Sequence, residues 1–144
     1  MKRFMTPDEY LEELEKKLNG KIENYVVKGF YHFQGRDNNF SGLFEIDENG
    51  AIAGYIRDPN SICKRHIVKG NLSYQEKFRM DFVKIPPNFF LLNIYYLLLK
   101  EDGTPGAEGK YKGSWEFREE ALKLDTLENE TETKNRTQIT LSKV

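Results

Sequence analysis

From Ile22 onward the chain takes a period of two, with apolar residues on every second position in most of seven successive runs. Tyr25, Val27, Gly29, Tyr31 and Phe33 share one face of the first run, and Phe40, Gly42, Phe44 and Ile46 share a face of the second. Glu48-Asn49-Gly50 then has the composition of a tight hairpin turn, leading into Ile52, Gly54 and Ile56, a run that ends at Asp58-Pro59-Asn60. His66, Val68, Gly70 and Leu72 form the next face, and Phe78, Met80 and Phe82 the one after it. Pro86-Pro87 interrupts the chain before the apolar run around Phe90 to Leu99. Gly103-Thr104-Pro105-Gly106 turns it back into Tyr111, Gly113, Trp115 and Phe117. A period of two, with short turns and no helical spacing between runs, specifies sequential antiparallel strands and leaves no room for crossover helices.

Four of these runs carry the same local pattern, Gly-x-apolar-x-apolar, at Gly29, Gly42, Gly70 and Gly113. Glycine weakens a strand interior, so its recurrence on the face of the large residues needs a geometric cause. A closed, strongly coiled sheet supplies one, because the inside of a small barrel has little room. The expected fold is therefore mainly β, an antiparallel meander closing into a small barrel of seven to nine strands. A two-layer sandwich with glycines at bulges is the alternative.

One helix precedes the meander. Thr6, Pro7 and Glu9 form a capping-box start, and acidic Asp8, Glu9, Glu12 and Glu13 crowd the positive end of the helix dipole. Leu11, Leu14 and Leu18 make one apolar stripe, and Asn19-Gly20 ends the segment. After Phe117 the chain turns polar, and 126–137 reads as a solvated Glu/Thr/Asn-rich stretch. Alternation returns in Gln138 to Val144, with Ala121 to Leu124 a weaker candidate, and either could supply a closing strand. A length of 144 residues suits one domain: a helix over 6–19, a meander over 22–118 and a polar segment over 119–144.

With Gly113-Ser114-Trp115 on the seventh strand, Gly29-Phe30-Tyr31 on the first and inward aromatics throughout, the meander resembles the calycin-type barrels of the lipocalin and avidin families. The resemblance covers roughly Ile22 to Phe117 and is one of fold. It implies an up-and-down barrel of the kind that mostly holds a small ligand in its mouth. Those families place Gly-x-Trp on the first strand, so no family site residue is carried over.

Charge and chemistry narrow the functional classes. Lys and Arg total 22 against 23 Asp and Glu, a balance that does not suit binding a polyanion through bulk charge. Lys64, Arg65, Lys69, Lys77, Arg79 and Lys84 do cluster, several of them outward on adjacent strands, but Glu76 and Asp81 interleave with them, and nucleic acid is not the expected partner. His32 and His66 fall on opposite faces, and Cys63 is the only cysteine, so no metal centre, disulfide or cofactor is expected. Alternation also separates Cys63 from His66, and sends Asp81 and Glu116 outward. No catalytic set emerges. The longest apolar stretch, Phe89 to Leu99, is too short for a membrane span of about 20 residues. With no signal core after Met1, the cytoplasm is the expected compartment.

Two sets of residues remain. Tyr31, Phe33, Phe44, His66, Phe82 and Trp115 point inward among glycines, which suits noncatalytic binding of a small apolar ligand. A core filled by its own side chains, serving a structural or interaction role, is the main alternative. An enzyme using His66 as acid or base is the lesser one. On the Phe89 to Leu99 strand both faces are apolar, so its outside must be covered. The helix over one part, and a homodimer contact through Leu91, Tyr95 and Leu97 over the rest, are the expected covers.

Overall fold

The computed structural model describes residues 6–60, 65–86, 93–118 and 135–144. A helix, α1 (Pro7–Lys16), precedes eight strands: β1 (Ile22–Phe33), β2 (Arg36–Asp47), β3 (Ala51–Arg57), β4 (Arg65–Tyr74), β5 (Phe78–Ile85), β6 (Asn93–Lys100), β7 (Gly109–Arg118) and β8 (Arg136–Lys143). Each strand pairs with the next, and β8 pairs with β1, so the meander is a closed antiparallel barrel. The closing strand is the Gln138 to Val144 candidate, preceded by Arg136 and Thr137. Ala121 to Leu124 lies outside the described residues, as does Cys63.

The inward face is the one the alternation marks. Val27, Phe44, Ile56, Val68, Met80, Leu98, Tyr111 and Ile139 are wholly buried and belong to one continuous core with Phe82, Tyr96 and Leu141. Phe44 meets Phe82 edge-on at 5.4 Å, and Phe82 stacks on Tyr96 at 4.6 Å. The recurrent glycines answer to close approach between neighbouring strands. A Cβ at Gly113 would stand 1.8 Å from the Leu97 carbonyl oxygen of β6, and one at Gly42 would stand 2.0 Å from the Tyr55 carbonyl of β3. Backbone atoms cannot swing aside as a side-chain end can. Gly113→Ala is therefore expected to cost about 2 kcal/mol, read from the chemical denaturation midpoint, while leaving the strand order intact.

At one end of the barrel the β6–β7 connection is tied down by its own hydrogen bonds. Lys100 donates to the carbonyls of Thr104 and Gly106, and the Tyr111 hydroxyl donates to the Ala107 carbonyl at 2.7 Å. The opposite end, where β1 turns into β2 and where β3 ends, carries the opening described below.

The helix start is as the sequence specifies. Thr6 Oγ1 accepts from the Glu9 N–H at 3.1 Å, and Glu9 Oε1 accepts from the Thr6 N–H at 3.0 Å. Its position is a correction. α1 does not lie over β6; Leu14 packs on Ala53 and Ile67 of β3 and β4, with Tyr10, Leu11, Leu18 and Tyr55 around them. Small Ala53 lets the helix approach, and Asp8 holds Arg65 at 2.9 Å while the Arg65 guanidinium lies over the Tyr55 ring at 4.6 Å. Glu15 of the helix also hydrogen-bonds Glu45 of β2. That contact, with burial and the charge of Glu15, raises the Glu45 carboxyl to about 7. A carboxyl raised from 4.5 gives its full stabilisation below that pH and loses it as the pH climbs through 7. Going from pH 5 to pH 8 should loosen the helix by about 1 kcal/mol, given solvent screening at this half-buried site. Hydrogen exchange of the α1 amides against pH would show it, and Glu45→Gln should flatten the dependence.

Candidate functional site

Inward parity continues past the apolar core into the open end, and there it delivers charge. Asp58 follows Ile56 on the inner face, where Pro59 ends β3; its Oδ1 accepts from the Asn60 N–H at 3.1 Å, so a turn fixes the carboxylate. Lys84 follows Met80 and Phe82 on β5. Asp58 and Lys84 are each 1 % exposed, and Lys84 Nζ lies 3.4 Å from Asp58 Oδ2. The Tyr31 hydroxyl donates to the same Oδ2 at 2.5 Å. Aromatic faces complete the cage: Lys84 Nζ sits 4.7 Å from the Tyr31 ring centre and 5.5 Å from that of Tyr96. Burial is the main force lowering the ammonium of Lys84, opposed by the charge and hydrogen bond of Asp58. Burial raises the Tyr31 phenol, helped by its bond to Asp58. Lys84 therefore leaves the outward basic cluster altogether. Arg65 is tied to Asp8, and Lys64 lies outside the described residues.

Above this pair opens a pocket of about 230 Å³. Tyr31, Phe33, Ile94, Tyr96, Trp115 and Phe117 form much of its wall, and Arg36, Asn38, Asp58, Asn60 and Lys84 supply polar groups. The aromatic wall is interlocked edge to face: Trp115 meets Tyr31 at 5.7 Å, Phe33 at 5.6 Å and Phe117 at 5.0 Å. Trp115 Nε1 donates to the His32 carbonyl at 3.1 Å, which locks the indole. Asn38 bridges the β1–β2 hairpin by donating to the Phe33 and Arg36 carbonyls. These are rigid walls.

The six expected ligand residues divide between two levels. Tyr31, Phe33 and Trp115 line the pocket. Phe44, Phe82 and His66 stand deeper, in the filled interior, with His66 2 % exposed. Its Nδ1 has no hydrogen-bond partner among the described residues, and burial first, then the Lys84 charge, lowers it to about 4, with Asp58 pulling the other way. His66 is thus held as a neutral ring whose Nδ1 meets no carboxylate among the described residues. The outward His32 bonds Asp37 at 2.9 Å. No group of three or more His, Cys, Asp or Glu side chains among the described residues could hold a metal ion.

The sequence reading missed Asp58, Lys84 and Tyr96 as site residues. Parity could have found Lys84, which lies two positions beyond Phe82; a basic residue among other basic residues was read as surface instead. On the outside of β6, Tyr95 is half-buried, while Leu97 and Leu99 are 38 % and 42 % exposed; Leu91 lies outside the described residues. No helix among the described residues is long and apolar enough to cross a membrane. Comparison with family models, with curated proteins and with solved structures finds no match.

Proposed function

We propose that this barrel is a noncatalytic small-molecule binder that holds a compact, largely apolar ligand in its mouth. The pocket carries the reading: an aromatic wall over a buried ion pair, at the end of the barrel where β1 turns into β2. Its volume falls below the range of about 300–1,000 Å³ usual for drug-sized ligands, and the filled interior beneath it bars long chains. Phe44, Phe82 and His66 serve as the packed base on which Tyr31, Phe33 and Trp115 stand. The calycin-type resemblance agrees with this use of the mouth. A neutral His66, with no partner for Nδ1 among the described residues, favours binding over acid–base chemistry.

Trp115 is the only tryptophan, so its fluorescence reports the pocket directly. Titration with single-ring aromatic compounds should quench or shift the emission, whereas long-chain lipids should not. An unchanged spectrum across the panel would leave the barrel as a structural or interaction domain with a filled core.

The exposed Leu97 and Leu99 on the outside of β6 support a separate proposal, a homodimer through Tyr95 and Leu97. Sedimentation at micromolar concentration should show a dimer, and Leu97→Glu should shift it to monomer. A monomer in both samples would remove the interface.

A further inference from the structure

Two buried groups at the pocket hold donors that are not fully used. Lys84 carries three N–H groups, and among the described residues only Asp58 Oδ2, at a long 3.4 Å, takes one of them. The Tyr96 hydroxyl is buried and has no partner among the described residues, an arrangement that normally costs free energy unless something else completes it. Asp58, the only carboxylate among the described lining residues, is already engaged on both oxygens by Tyr31, Lys84 and Asn60. At the rim Arg36 adds a second cation, with no ion-pair partner among the described residues. Among the described lining residues two cations stand against one carboxylate, one positive charge in excess. A group that only accepts hydrogen bonds and bears one negative charge would complete both the donors and the charge. The wall sets the rest of the ligand: flat aromatic faces and edges favour a planar body, and about 230 Å³ limits it to one ring.

Building on the proposal that the pocket is a ligand site, we infer that its ligand is a single-ring aromatic carboxylate, with the carboxylate received by Lys84 and Tyr96 and the ring laid against Trp115 and Phe33. Arg36 steers the anion to the mouth and neutralises its charge from the solvent side. Asp58 competes with the incoming anion for Lys84, so it limits affinity while holding the lysine in place.

Benzoate, benzamide and toluene share a ring and differ in charge and acceptor strength, which makes them the probes. Trp115 fluorescence at pH 7.5 should report benzoate binding at least tenfold tighter than benzamide. Tyr96→Phe, which removes only the unpartnered hydroxyl, and Arg36→Gln, at an exposed position, should each weaken benzoate several-fold and leave toluene unchanged. Thermal melts of both variants confirm that they fold. Benzamide or toluene binding as tightly as benzoate would overturn the carboxylate assignment while the pocket proposal stands. Failure of all three probes to move Trp115 would remove the pocket proposal itself, and the carboxylate with it.

Discussion

Lys84→Met is expected to destabilise the protein by about 3–5 kcal/mol, the largest effect of any single substitution in the barrel mouth. The methionine fills a similar volume, so packing changes little; what changes is that Asp58 remains ionised and buried. Among the described residues only the Tyr31 hydroxyl and the Asn60 N–H would then donate to that carboxylate. Asp58→Asn combined with Lys84→Met removes both charges and should recover most of the loss, because a buried pair is costly chiefly when it is broken. The chemical denaturation midpoints of the two single variants and the double variant form the necessary cycle. Additive losses would show that the two charges do not stabilise each other. Tyr31→Phe, which leaves the pair intact and removes one hydrogen bond, should cost only about 1–2 kcal/mol.

Acid should destabilise the barrel through His66, by about 3 kcal/mol in total. In the folded protein the imidazole is held neutral to about 4, below its ordinary 6.5, by burial and by the neighbouring Lys84 charge. The folded form therefore binds the proton less readily than the unfolded chain does. Stability from this group is complete above pH 6.5 and disappears as the pH falls through 4. Glu45 contributes in the opposite sense over an overlapping range, so the two are best separated in a Glu45→Gln background. There, His66→Met should abolish the fall between pH 6.5 and 4. An unchanged pH profile in His66→Met would assign the acid sensitivity to another group.

How much of this was legible follows from which physical signal each residue carries. Alternation is produced by the pleat itself, so the inner faces of β1 to β7 read directly from the sequence, as did the hairpin at Asn49-Gly50. The glycines on those faces pointed to a closed sheet because close strand approach demands them. Helix placement was harder: three leucines say that a surface is needed, but not which one. The answer lay in the outer residues Ala53, Tyr55 and Ile67, an apolar patch that the alternation had marked only as the far side of β3 and β4. The mouth was least legible. Burial of Asp58 and Lys84 depends on their meeting across the barrel, and no pattern along one strand encodes that meeting. Composition misleads there too, since a lysine and an Asp-Pro turn ordinarily belong to the surface.

The pairing of β8 with β1, which joins Tyr25 to Lys143 and Tyr31 to Thr137, also governs when the protein can become itself. Each hairpin from β1 to β7 can zip locally, but closure must bring together segments from the two ends of the described chain. The entropy of that last loop is charged before any of its contacts is gained, which places this fold among the slower topologies. During synthesis β1 has an unpaired edge from the moment it emerges until β8 leaves the ribosome. A long β-strand with an open edge is a template for pairing with other chains. The finished barrel offers no such edge. Its exposure to misassembly is thus concentrated in the interval before the final strand arrives, when chaperones rather than the fold must guard β1.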